Sequence, residues 1–342
     1  MNESPAFEVM AAAPRLPPVT ASAADIVSDT VTPIDPGADR SRAAFVDAVV
    51  ELHATTTALH ERFLRNQADF HENLCRLFAA PSSRPAAVER ILDPAEHPWL
   101  ADHRPSGTVP VLPGTATADL LAGAAATRTG CAVTGLRDVT FRDWITVVEP
   151  VRLRTEVSGS PSEPFVTLSV WRTSRYTPVA TGYVVFGEQA RPVRFAPLAD
   201  AGPVPSPYVD GRLFHGPRMQ YLKTVRANAS GTSGVLDCQH GSVPVGTLHH
   251  GLLDAAMHTI AALPRRNDGG FLFPYRLDSL AMFDPLPTTG TVDVESRYAG
   301  SVDGPSELPI FDLQLCSGAD VLAAFRMVFA PRQSGQQLRR MR

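Results

Sequence analysis

The sequence is short of lysine: of its 31 basic residues only Lys223 is a lysine, and the arginines are scattered except for a short cluster, LRRMR, at the C-terminus. We read this as the coding bias of a GC-rich gene, not as chemistry. There are 35 acidic residues, so the formal charge is −4. Without a basic surplus to neutralise phosphates, the chain is not a general nucleic-acid binder. Cysteine is scarce as well. Cys75, Cys131, Cys238 and Cys316 are far apart and form no CxxC pair, which argues against a disulfide framework or a zinc ribbon and for reduced thiols in the cytoplasm. No apolar run reaches the roughly 18 to 20 residues a membrane span needs. The N-terminus has no basic segment followed by an apolar core and does not read as a secretory signal.

What is present is a 44% hydrophobic chain of 342 residues, long enough for one large domain or two ordinary ones. Residues 1–40 are rich in Pro, Ala, Ser and Thr without periodicity and read as a disordered linker, as in a piece cut from a longer polypeptide. Over 41–79, Phe45, Val49, Leu52, Leu59, Phe63, Phe70, Leu74 and Leu77 fall on one stripe. This predicts a helix that packs on a neighbouring domain or forms a coiled-coil seam, and 41–90 is assigned to a helical linker or docking arm.

Two similar units follow. Each has strand-like segments, then one apolar helical run (about 114–127 and 248–263), then four strand-like segments. An antiparallel sheet wrapped around one buried helix is a hot-dog fold, and two in tandem make a double hot-dog, an α+β architecture. The units are placed at 91–190 and 208–332, joined by a Pro-rich connector at 191–207 and followed by a tail at 333–342.

The second helical run carries Asp254 and His258, four apart and therefore on one face. Their sequence neighbours Leu252, Leu253, Ala256 and Met257 are apolar. Such surroundings predict a desolvated carboxyl with a raised pKa, a form suited to a general acid. Two other readings stand beside this one. Asp254 could only balance a helix N-terminus, and His250, Asp254 and His258 could share a metal. In the first unit, His103 precedes RPSGTVPVLPG. There Pro105, Pro110 and Pro113 stiffen the chain and Gly107 permits close backbone approach to a ligand. Pro113 suits the first turn of a helix, whose free N–H groups can polarise a carbonyl. A surface loop with an incidental histidine is the plain alternative.

HPWLADHRPSGTVPVLPGTA resembles the first signature of the dehydratase domains of modular polyketide synthases and polyunsaturated-fatty-acid synthases. That signature runs histidine, three residues, glycine, four residues, proline; here five residues separate Gly107 from Pro113. LFHGPRMQYL (213–222) is similar to the family's Tyr-Gly-Pro-x-Phe motif, with His215 at the tyrosine position and Met219 at the phenylalanine. HHGLLDAAMH (249–258) resembles its His-Pro-x-Leu-Leu-Asp motif, with His250 in place of proline. GLRDVTFRDWITV (135–147) resembles the strand after the first helix.

The resemblance implies a double hot-dog in which His103 removes the α-proton of a 3-hydroxyacyl thioester. Asp254, oriented by His258, protonates the departing hydroxyl. Gly107, Thr108, Pro113, Gly114, His215, Gly216 and Pro217 line the substrate site. It implies no metal or cofactor in the domain itself. The substrate comes on the phosphopantetheine of an acyl carrier protein, neighbouring synthase domains are further partners, and a homodimer is compatible with this reading. Double-bond isomerisation, oxa-Michael cyclisation or a non-catalytic scaffold are the other activities compatible with the fold.

Overall fold

The computed structural model describes residues 86–105, 109–209, 211–263, 272–302 and 308–331. The linker expected over 1–40, nearly all of the helical arm, and the tail lie outside the described residues, as do Gly107 and Thr108.

The first unit runs β1 (Ala86–Leu92), α1 (Gly114–Thr129), β2 (Val133–Phe141), β3 (Val151–Ser160), β4 (Glu163–Arg172) and β5 (Arg175–Phe186). The second runs β6 (Gly202–Pro203), β7 (Leu222–Asn228), β8 (Gly231–Asp237), α2 (His250–His258), β9 (Leu272–Met282), β10 (Thr291–Val302), β11 (Leu308–Ser317) and β12 (Asp320–Pro331). Each helix is followed by four strands, as the pattern predicts. β1 starts inside the segment assigned to the helical arm.

Among the described residues the strands form one antiparallel sheet in the order β1-β3-β4-β5-β2-β9-β12-β11-β10-β8-β7-β6. The two sheets expected in tandem are therefore fused. The join is β2 on β9, with Gly135 opposite Ala281 and Thr140 opposite Arg276. Gly135 permits this approach, because a Cβ there would overlap the Leu280 carbonyl oxygen.

Both helices are enclosed. Every residue of α2 is buried, which explains why its sequence is apolar on nearly all sides. α1 buries Leu121, Ala122 and Ala125 completely, and its alanines let it pack close to β2, β3 and β4. Burial of a side chain the size of Leu121 contributes about 1.5–3 kcal/mol. α1 ends at Gly130, whose φ of 70° is the left-handed value a helix stop favours. The two helices also pack against each other, which brings the N-terminus of α1 to the middle of α2.

Candidate active site

His103 sits at the end of a short 3-10 turn, Pro98–Asp102, and is held from three sides. Its backbone N–H donates to the Leu100 carbonyl at 3.1 Å, and its carbonyl accepts from Val111 N–H at 3.0 Å. Its ring Nδ1–H donates to the Val111 carbonyl at 2.6 Å. A carbonyl can only accept, so this bond fixes the proton on Nδ1 and leaves Nε2 with a free lone pair. The segment carrying Val111 is itself anchored: Leu112 N–H donates to the Ile145 carbonyl at 2.9 Å and Val147 N–H to the Pro110 carbonyl at 2.9 Å. The loop that contains the extra residue before Pro113 is thus pinned at both ends, and His103 keeps its place. Pro113 is the residue just before α1, with ψ of 150°, and not part of its first turn.

His103 and His215 form a backbone bridge across the two units, with ring centroids 5.1 Å apart. The HGP segment is locked onto Asp102. Gly216 N–H donates to the Asp102 carbonyl at 2.7 Å, and Arg218 N–H donates to Asp102 Oδ2 at 2.8 Å. A Cβ on Gly216 would lie 2.6 Å from Asp102 Cγ, so the carboxylate fills the space a side chain would need. Gly216 and Pro217, expected along the substrate site, work here as a clasp between the units.

On α2, His258 Nε2–H donates to Asp254 Oδ2 at 3.0 Å, and His215 Nε2 lies 3.4 Å from the same oxygen. Thr115, in the first turn of α1, donates to Asp254 Oδ1 at 3.3 Å. The far side of His258 is occupied as well: Tyr208 Oη and His258 Nδ1 are hydrogen-bonded at 2.7 Å, and Leu222 N–H donates to Tyr208 Oη at 3.4 Å. The helix N-terminus is capped by His249, whose Nδ1 accepts from Leu252 N–H, so capping is not the task of Asp254. His250 faces Trp99 instead, with rings 5.3 Å apart; the third imidazole near Asp254 is His215.

All four central groups, His103, His215, Asp254 and His258, are buried. Burial lowers the pKa of His103 below the ordinary 6.5, partly offset by the Asp254 charge. Burial and the neighbouring His258 push His215 down to about 3, so at neutral pH it is uncharged and its contact with Asp254 is a hydrogen bond. The expectation for Asp254 is reversed. Burial pushes its pKa up, but the hydrogen bonds from His215 and His258 outweigh this and hold the carboxyl well below the usual carboxylate value. The apolar neighbours in sequence do not surround the carboxyl; donors from other elements do.

An apolar cavity opens beside Thr115, bounded by Gly114 and Ala118 of α1, Phe141 of β2, Leu277 of β9 and Met327 of β12. It lies at the β2–β9 join, next to the hydroxyl that holds Asp254.

The polyketide synthase dehydratase domain family matches residues 71–170. Over those 100 residues the chain is similar to polyketide synthase dehydratase domains. It is 28% identical over 257 residues to polyketide synthase GfsA of Streptomyces halstedii, an alignment covering 69% of this chain and 3% of that synthase. The chain thus corresponds to a small part of a much longer relative. The dehydratase domain of the polyketide synthase PpsC from Mycobacterium tuberculosis superposes with a TM-score of 0.61 at 21% identity, over 72% of this chain and 93% of that one. The dehydratase domain from the CurJ module of the curacin polyketide synthase gives 0.60 at 18% identity, over 74% and 95%. These likenesses establish the double hot-dog fold. Among the described residues, no helix is long and apolar enough to cross a membrane.

Three participants in the site were not singled out from the sequence. Thr115 and Val111 lie within the segment read as a rigid support but carried no signal of their own. Tyr208 follows the Pro-rich connector, and nothing local marks it as a partner of His258.

Proposed function

We propose that this chain removes water from a 3-hydroxyacyl thioester to give an α,β-unsaturated thioester. The observation that carries the reading is the meeting of His103 from the first unit with Asp254 from the second, with His215 between them. His103 Nε2 holds the free lone pair and takes the α-proton. The proton given to the departing β-hydroxyl belongs to the hydrogen-bonded Asp254–His258 pair, whose groups are 3.0 Å apart. The N–H groups of the first turn of α1 lack intrahelical acceptors and are available to the thioester carbonyl beside Pro113 and Gly114. This stabilises the negative charge that develops as the α-proton leaves. Proton transfer by positioned groups of this kind contributes about 10²- to 10⁴-fold each.

The chemistry needs no cofactor in the domain. The substrate arrives on the phosphopantetheine arm of an acyl carrier protein, and the chain works beside other synthase domains in the cytoplasm. Supplying 3-hydroxyacyl groups of several lengths on a carrier protein, and following loss of one water by mass spectrometry, tests the reading. His103→Ala and Asp254→Asn are expected to abolish turnover while retaining the wild-type melting profile. A folded, substrate-loaded system that dehydrates none of the chains refutes dehydration, and a product with its double bond moved or its hydroxyl ring-closed redirects it to isomerisation or cyclisation.

A further inference from the structure

We propose that His215, Asp254 and His258 form a site for a zinc-type divalent metal ion, and that its occupancy shuts down proton transfer at this centre.

One ligand atom from each of the three residues lies within 4.8 Å of the other two. Two of the separations are those of direct hydrogen-bonding contacts. His258 Nε2 is 3.0 Å from Asp254 Oδ2, and His215 Nε2 is 3.4 Å from it. A tetrahedral zinc ion with bonds of about 2.0–2.1 Å holds neighbouring ligand atoms about 3.3–3.4 Å apart. The two edges that meet at Asp254 Oδ2 are therefore close to those of a coordination tetrahedron, and the third, between the two imidazoles, lies within 4.8 Å. Two imidazoles and one carboxylate make a ligand set that zinc accepts with a fourth position left for water.

The surroundings supply outer partners. The Thr115 hydroxyl holds the other carboxylate oxygen at 3.3 Å, and the Tyr208 hydroxyl meets His258 Nδ1 at 2.7 Å. A hydroxyl can turn to accept as easily as to donate. Tyr208 can thus take an Nδ1–H when His258 turns its Nε2 lone pair to a metal, which is the usual arrangement behind a ligating histidine. His215 is fully enclosed, and its Nδ1 has no hydrogen-bond partner among the described residues, so its contact with Asp254 runs through Nε2 alone. This third ligand is the histidine that stands at the motif's tyrosine position. Without it, the i, i+4 pair on α2 has only two ligands.

On binding, each imidazole exchanges its Nε2–H for an Nδ1–H through solvent, with no net loss of a proton, and the metal takes the place of the two Nε2–H groups against Oδ2. The Asp254–His258 pair then has no proton to give at that oxygen. This consequence rests on the dehydratase reading; the binding itself does not.

The test titrates the whole chain with Co²⁺ and follows visible absorption, then displaces cobalt with Zn²⁺. One equivalent of cobalt with saturable bands of a tetrahedral site is expected. His215→Phe and His215→Gln should each weaken binding at least about 100-fold, since even outer-partner losses cost 10- to 100-fold. His103→Phe, which removes no ligand, should bind within about threefold of wild type while losing turnover. Two variants at position 215 guard against one failing to fold, and melting curves identify which is folded. Absence of a saturable cobalt band in the wild type, or a folded His215 variant that titrates like it, overturns the proposal. Zinc that binds at this site without suppressing dehydration overturns the shut-down. If cobalt binds as described but no dehydration occurs with a chelator present, the dehydratase reading fails and the metal site stands.

Discussion

Replacing Tyr208 by phenylalanine removes one oxygen and leaves the ring. In the native site that oxygen bonds His258 Nδ1 at 2.7 Å and accepts from Leu222 N–H at 3.4 Å. Without it, two polar atoms in the site lose their partner. The first bond is short and part-buried, and loss of such a partner costs about 1–3 kcal/mol. The second is long and adds little. The cost falls on the residue that orients Asp254, so part of it is expressed in the reaction. If between half and all of about 2 kcal/mol reappears in the barrier, kcat falls about 5- to 30-fold, with KM little changed because Tyr208 lies behind His258. The assay is steady-state dehydration of a carrier-bound 3-hydroxyacyl substrate, paired with thermal melting. A Tyr208→Phe protein with unaltered kcat and unaltered stability refutes the idea that the Tyr208–His258 bond maintains the acid side of the site. Recovery of kcat in Tyr208→Phe by lengthening the substrate would refute it too, since that would make Tyr208 a binding residue.

Three more outcomes are expected. The pKa of His103 is lowered by burial, and a base works when unprotonated, so kcat/KM should rise from acid pH with a midpoint below 6.5 and level off above it; a midpoint above 7.5 in a pH–rate profile contradicts the assignment. Gly216→Ala puts a Cβ 2.6 Å from Asp102 Cγ, forces the clasp between the units apart, and should cost about 1–3 kcal/mol in urea unfolding, together with most of the activity. The pKa of Asp119 is raised by burial from 3.8 to about 6. The folded state therefore binds the proton more tightly, and its stabilising effect is full below 3.8 and lost as pH rises through about 6. The difference in unfolding free energy between Asp119→Asn and wild type should accordingly move in favour of the variant across that window, by at most about 3 kcal/mol. Parallel pH curves for the two proteins would refute this.

The sequence carried much of the architecture because its information there is local. The four strands after each helix alternate or run apolar in short stretches bounded by turn residues, and α2 is apolar apart from its histidines and Asp254 because it is enclosed. The Asp254–His258 contact was legible for the same reason, since a spacing of four residues on a helix dictates it. β1 was not legible: Val88 and Ile91 are exposed on an edge strand, so AAVERIL shows no buried face. The fusion of the sheets was not legible either, because β2 and β9 are far apart in the chain and each satisfies the same alternation whether or not the other is present. The ionisation of Asp254 was misread for a related reason. Its neighbours along the chain are apolar, but the groups that set its charge state, His215 and Thr115, come from a bridge and a helix that only the folded topology brings in. Tyr208 reaches His258 in the same non-local way.

The pairing of β2 with β9 has a mechanical meaning. Two half-domains joined only by residues 191–207 could hinge, and the distance between His103 and Asp254 would then vary with the hinge. Joined through a shared sheet, they are held by backbone pairing, and the spacing of His103 from Asp254 is set by the β2–β9 ladder. The connector becomes dispensable for holding the halves together. Gln314 grips it by accepting from Phe195 N–H at 2.8 Å and donating to the Val193 carbonyl at 3.0 Å. A cut between Phe195 and Gly202 is expected to leave the upstream end on Gln314 and the downstream end paired with β7. Alignment in this protein is stored in backbone ladders, which tolerate side-chain change; that leaves the residues lining the gap between His103 and Asp254 free to diverge without disturbing its width.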